Sequence, residues 1–153
     1  MSRRLLLIIA VGAFSLLAIG SLATASSSKT EARRDVLVGF RMPSNNIFCQ
    51  YVVSSSPHTK YLRCDIMSGL KPKPSSKGCI EGSRGFSADM GVTGRATYEC
   101  SSDSVYDMGA PKVGYGMTWR RGGFTCKSKI SGLTCTNLSR HGFFLSRAHS
   151  YRF

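Results

Sequence analysis

The side chains best suited to chemistry in this chain of 153 residues are six cysteines and three histidines. Thiolates and imidazoles bind metal when they stand close together, as in C-x-x-C, because a tetrahedral site needs several ligands at short range. Here the nearest cysteines, Cys126 and Cys135, have eight residues between them, and no C-x-x-C occurs. Neither a metal site nor a thioredoxin-like redox pair is expected, and no cofactor is implied. Among His58, His141 and His149, the candidate base is His141, in "SRHGFFLSR". With Ser146 as nucleophile and Asp65 or Asp103 to orient the ring, it would make a hydrolase triad. No G-x-S-x-G elbow supports that set, and a histidine beside a glycine is more often a hydrogen-bonded turn residue. Paired carboxylates for glycoside chemistry and a phosphate-cradling glycine loop are missing as patterns.

An even number of cysteines fits a disulfide framework. Pairing them requires strands in register. With Cys126 opposite Cys135, Ser128 faces Leu133 and "KISG" is left as the loop. Alternation then places Phe124, Cys126, Leu133 and Cys135 on one face and Thr125, Lys127, Thr134 and Thr136 on the other. That is an apolar face backed by a wet one, as a half-buried hairpin requires. With Cys49 opposite Cys64, Ile47 faces Ile66, Tyr51 faces Leu62, and "SSSPHT" is the loop. Gln50, Arg63 and Asp65 point outward, and so do the apolar Phe48 and Val52, which need cover from another segment. "LRC" and "LTC" close the two hairpins alike, as in a degenerate repeat. Cys79 and Cys100 pair by elimination. Each closure stabilises by about 2.5 to 3.5 kcal/mol in the chain-entropy picture.

The rest of the chain has no helical period beyond the N-terminus. "MPSNN" and "LKPKPSSKG" are turn and loop compositions. The stretch from Ile80 to Glu99 reads as a long glycine-rich loop leading into "RATYEC". Tyr115, Met117 and Trp119 alternate as on one face of a short strand, and "FFLSRAHSYRF" reads as a last strand. The fold class is therefore all-β or nearly so: one small domain of short antiparallel strands and long loops, stapled by three disulfides.

"MSRR", an apolar run of 19 residues and "ATA" at 23–25 make a signal peptide. Cleavage is expected near Ala25; the alternative is an uncleaved membrane anchor. Residues 1–25 are the signal peptide, 26–38 a polar tether and 39–153 the β domain. Cleavage leaves 19 of the 21 Lys and Arg against all 8 acids, a net charge of +11. Such a charge favours anionic partners, a lipid or glycan surface above all. The cations are spread along the chain, and no signature of specific nucleic-acid recognition is present. An aromatic surface from Tyr115 and Trp119, with Phe143 and Phe144, rimmed by Arg120 and Arg121, is the candidate binding site, unless these rings belong to the core. Asn137-Leu-Ser139 is a glycosylation sequon, meaningful only in a eukaryotic secretory pathway.

"FRMPSNNIFC", "LRCDI", "YGMTW", "GGFTCKS", "GLTCTN" and "HGFFLSR", in this order, resemble the secreted bacterial proteins grouped as domain of unknown function family 6636. The resemblance runs from Phe40 to the end of the sequence. It implies export, disulfides and a small β-rich fold, with no assigned activity. The family pattern has glycine where Asn45 and Arg140 stand. Asn tolerates a left-handed turn and Arg does not, so the turn before His141 is expected to differ. The expected function is that of an exported binding or structural protein contacting anionic envelope components, with the His141 hydrolase as the alternative.

Overall fold

The computed structural model describes residues 35–55 and 58–153. The expected signal peptide and most of the tether lie outside them. Among the described residues, ten strands form two antiparallel sheets of five. The first sheet runs β1 (Val36–Arg41), β2 (Ile47–Ser55), β3 (His58–Ile66), β4 (Gly85–Gly91) and β5 (Thr97–Ser101). The second runs β6 (Thr118–Arg121), β7 (Phe124–Lys129), β8 (Gly132–Thr136), β9 (Gly142–Leu145) and β10 (Ser150–Arg152). Each is a meander in which every strand pairs with its chain neighbour.

The alternation that defines the two hairpins also builds the core. Cys49 pairs with Cys64, Ile47 with Ile66 and Tyr51 with Leu62 across β2 and β3. Cys126 pairs with Cys135 and Ser128 with Leu133 across β7 and β8. The faces carrying these residues pack together as one buried cluster, which includes Phe40, Leu62, Met90, Phe124, Phe143 and Leu145. Phe40 stacks on Trp119 at 4.6 Å, and Tyr51 meets Phe124 edge-on at 6.0 Å. The hairpin turn Gly122–Gly123 presses directly on Tyr51. A Cβ at Gly122 would stand 2.5 Å from the Tyr51 ring, and its φ of 58° is left-handed, so the turn requires glycine there.

All three disulfides have the expected partners: Cys49–Cys64, Cys79–Cys100 and Cys126–Cys135. The first and third lie buried in the core with their Cα atoms 4.0 and 4.1 Å apart. Both join the second and third strands of their sheets, so the "LRC"/"LTC" likeness has a counterpart in topology. The second closes the loop before β4 onto β5 near the surface.

Four local expectations need correction. The hairpin loops are shorter than expected, because pairing continues to Ser55–His58 and to Lys129–Gly132. The supposed long loop contains β4, whose Phe86, Ala88 and Met90 turn to the core while Ser87 and Asp89 turn away. Small residues and flanking glycines hid that alternation. Tyr115 and Met117 precede β6 instead of lying on it, because Gly114 and Gly116 bend the chain, with Met117 N donating to Gly114 O at 3.0 Å. The closing segment is two strands. Ser146 turns the chain between them, its hydroxyl accepting from His149 N and donating to His149 O.

Residues 102–113 form a strap across the face of the first sheet that points away from the core. Tyr106 packs on Phe48 at 4.6 Å and so supplies the cover that buried residue needs. At the far side Pro111 O accepts from Arg41 N, and Arg41 O accepts from Val113 N, both at 2.9 Å. The strap thereby bridges to β1 before the chain enters the second sheet.

Candidate functional site

The three members of the hydrolase set occupy three different settings. His141 sits half-buried just before β9, its Nδ1 3.3 Å from the Phe153 backbone oxygen. Ser146 is buried just beyond the other end of β9, its hydroxyl engaged by His149 backbone. Asp65 is buried on β3, bound to Arg63 and to Val105 N. None of the three bonds to another. Asp103, the alternative orienter, is also bound to Arg63. Chemically, each group already fulfils a structural hydrogen bond.

The candidate binding residues are also divided. Trp119 turns inward onto Phe40, whereas Arg120, its neighbour on β6, is exposed. The Arg121 guanidinium lies 5.7 Å from the Tyr51 ring centre, a cation–π contact. Tyr115 is exposed on the turn before β6. Phe143 and Phe144 are buried, the latter in a three-ring cluster with His149 and Tyr151, which also stack on each other at 5.9 Å. Most of these rings therefore serve packing.

A polar cluster outside the sequence-based set occupies the strap side of the first sheet. Register places Arg63 opposite Asp89 and Asp65 opposite Ser87, with Glu99 next to Ser87. Arg63 is the hub. It donates to Asp65 Oδ1 at 3.1 Å, to Asp103 Oδ1 at 2.7 Å, to the Asp103 carbonyl at 2.9 Å and to Ser101 Oγ. Hydrogen bonding and charge from Arg63 hold the Asp103 carboxyl below its ordinary range. Burial pushes Asp89 up to about 6, against the opposing pull of the Ser87 hydroxyl and the Arg63 charge. Removing water from a carboxylate disfavours its ionised form. The cluster clamps the strap: Arg63 grips it at Asp103, and Asp65 accepts from Val105 N at 2.9 Å. Among the described residues no group of three or more His, Cys, Asp or Glu is arranged to hold a metal ion.

The later part of the chain, which holds the second sheet, carries a different charge pattern. Residues 35–107 contain eight Lys and Arg against seven Asp and Glu, a net charge of +1. Residues 108–153 contain eight Lys and Arg and no acid, a net charge of +8. All eight of those cations, Lys112, Arg120, Arg121, Lys127, Lys129, Arg140, Arg147 and Arg152, are exposed. Arg120, Lys127 and Lys129 lie on the face of the sheet turned from the core, among Thr125, Thr134 and Thr136. This asymmetry was readable in the sequence, but in the acids and not in the cations. Lys and Arg are spread evenly; Asp and Glu stop at Asp107.

Asn137 is not an available sequon. It is buried, and its amide donates to Gly91 O at 3.0 Å and Gly94 O at 2.8 Å. Those bonds tie the β8–β9 turn to the β4–β5 turn of the other sheet. Just beyond it, Arg140 has φ 65°, and Asn45 has φ 52° in the β1–β2 turn. They are the two non-glycine residues of positive φ among the described residues. The turn before His141 therefore keeps a glycine-like backbone, contrary to expectation, with Arg in the left-handed region.

These features define a class: a small two-sheet β domain, stapled by three disulfides, with one electrically balanced half and one acid-free basic half. Residues 16–153 match the family of unknown function DUF6636, and the chain belongs to that family. No curated protein matches the chain. No solved structure matches it either.

Proposed function

We propose that this is an exported protein that binds an anionic component of the cell envelope through its acid-free half. The carrying observation is the division of charge, +8 over residues 108–153 against +1 over residues 35–107. A field of one sign on one side of a small domain raises the local concentration of anions there and orients the approach. Export is supported by the pairing of all six cysteines, since disulfides persist in oxidising compartments. The scaffold supports binding because stapled strands lose little freedom when a ligand seats on them. The hydrolase alternative lacks a shared setting for His141, Ser146 and Asp65.

The test is charge reversal on each half. The exported protein is titrated with phosphatidylglycerol vesicles and with polygalacturonate over a range of salt. Lys127→Glu with Lys129→Glu is expected to weaken binding to both by at least about tenfold, since each cation near an anionic surface contributes about 1 kcal/mol. Lys60→Glu with Arg84→Glu, on the balanced half, should change affinity by less than about threefold. Wild-type affinity should fall steeply with salt. Equal losses from the two reversals, or no binding to either polyanion at low salt, would overturn the reading.

A further inference from the structure

At one end of the sandwich two turns from the acid-free half come together. The β7–β8 turn is Ile130–Ser131, and the chain from Gly114 to Met117 folds beside it. Ser128 holds the two in place. Its N–H donates to Met117 O at 2.9 Å, its carbonyl accepts from Gly116 N at 2.8 Å, and its buried hydroxyl donates to Val113 O at 3.0 Å. That bonding accounts for Ser128 standing at a core position of β7. The result is a braced tip bearing Tyr115, Met117 and Ile130, which are 42%, 61% and 86% exposed. Tyr115 and Ile130 border one shallow hollow of about 210 Å³, with Arg147 on its rim.

A single exposed apolar residue needs no explanation. Three large ones on adjoining, hydrogen-bonded turns, with cations around them, do. Lys127 and Lys129 stand on β7 just before Ile130, and Lys112 precedes the Gly114–Met117 turn; all three are exposed. We infer that this tip docks on an anionic phospholipid bilayer. Met117 and Ile130 enter the boundary between headgroups and acyl chains, Tyr115 stays at headgroup level, and Lys112, Lys127, Lys129 and Arg147 meet the lipid phosphates. The chemistry of each part fits. Apolar side chains gain by leaving water at the interface, tyrosine prefers the headgroup layer, and cations are drawn to acidic lipid. The backbone groups of Gly116, Met117 and Ser128 named above are already bonded, which lowers the cost of bringing them near a medium poor in water. A soluble acidic glycan would use the cations and leave the three apolar side chains without a role.

This inference rests on the anion-binding reading and narrows it to one surface and one ligand, so the experiment separates the two. Ile130→Ser and Met117→Ser are made in the exported protein, with wild-type melting as the check on folding. Each should weaken sedimentation with phosphatidylglycerol vesicles roughly tenfold, the scale of one apolar side chain returned to water, and leave polygalacturonate binding unchanged. Ile130→Trp should give a blue shift with those vesicles, quenched by brominated acyl chains. If Ile130→Trp shows neither shift nor quenching while Lys127→Glu with Lys129→Glu still abolishes vesicle binding, contact is purely electrostatic; the inference fails and the broader reading survives. Wild-type binding to polygalacturonate without binding to vesicles would likewise overturn the lipid assignment and leave the anion-binding reading standing. Binding to neither removes both.

Discussion

In the first sheet the disulfide between the second and third strands has Gln50 and Arg63 beside it on the face away from the core; in the second sheet the equivalent neighbours are Lys127 and Thr134. One cation stands in each place. Arg63 is enclosed by Asp65, Asp103 and Ser101 beneath the strap, whereas Lys127 is exposed on a sheet that has no acid. Two meanders with the same strand order and the same staple thus do different things with their outer faces. The first uses its charges internally, to hold a crossing segment. The second leaves its charges available. The lesson is that the core-facing residues set the architecture, while the residues one position away in each strand decide what the sheet presents to its surroundings.

The largest expected effect tests whether the paired staples are equivalent. Cys49→Ala with Cys64→Ala, or Cys126→Ala with Cys135→Ala, should cost about 4 kcal/mol, roughly 3 from lost loop closure and the remainder from the cavity left in the core. Cys79→Ala with Cys100→Ala opens the longest loop, with a sequence separation of 21 against 15 and 9, but removes a disulfide that is not buried. It lies outside the core, so it should cost only about 3 kcal/mol. Urea denaturation of the three double variants measures all of this. If the Cys79–Cys100 removal proved the most costly, loop closure would outweigh burial, and the likeness of the two core staples would matter less than their loop lengths.

A smaller effect separates the outer faces by their response to pH. Asp89 has a folded pKa of about 6, above the ordinary 3.8. Between those values the folded chain holds a proton that the unfolded chain has released. Stability should therefore increase as pH falls from about 6 towards 4, and ionised Asp89 should penalise the fold at pH 7. Asp103 acts in the opposite sense. Its lowered pKa gives stability that is present above the ordinary carboxylate range and lost as pH falls below it. Asp89→Asn should stabilise by about 2 kcal/mol at pH 7, a value discounted for partial exposure, and by almost nothing at pH 4. The second half has no carboxylate side chain to contribute in that window. A chain in which Asp89→Asn changes stability equally at both pH values would place the titration elsewhere.

Legibility in the sequence followed the same division between inner and outer faces. The two hairpins, their registers and their disulfides could be read, because setting Ile47, Cys49 and Tyr51 opposite Ile66, Cys64 and Leu62 gathers them on one apolar face; the third disulfide then follows by elimination. β4 could not be read so easily. Its inward set is Phe86, Ala88 and Met90, and an alanine among glycines carries little hydrophobic signal. The strap was foreshadowed only by Phe48, an apolar residue on a polar face. The candidate site was hardly legible at all. The Arg63 cluster assembles residues from three strands and the strap, separated by up to 40 positions, and spacing along the chain does not reveal it. Trp119 alternates correctly with Tyr115 and Met117, yet the two glycines around Tyr115 break the strand, so that Trp119 turns inward onto Phe40 while Tyr115 and Met117 stay exposed.

The smallest effect compares two turns, one per sheet, in which a side chain occupies glycine's territory. Arg140 has φ 65° and Asn45 has φ 52°. A left-handed residue with a Cβ costs about 1 kcal/mol or more, and least for Asn. Arg140→Gly relieves that strain but gives the unfolded chain more freedom, so a net gain of about 0.5 kcal/mol is expected. Asn45→Gly relieves less and also removes the Arg41–Asn45 hydrogen bond, in which Asn45 Oδ1 is the acceptor. It should be neutral or destabilising by a few tenths of a kcal/mol. Denaturation of the two variants side by side gives the sign of each. Were Arg140→Gly destabilising, the arginine side chain would have to be making a compensating contact at the β8–β9 turn. Because Asn137 ties that turn to the first sheet through Gly91 and Gly94, the loss would then register in the joining of the two sheets and not in the second sheet alone.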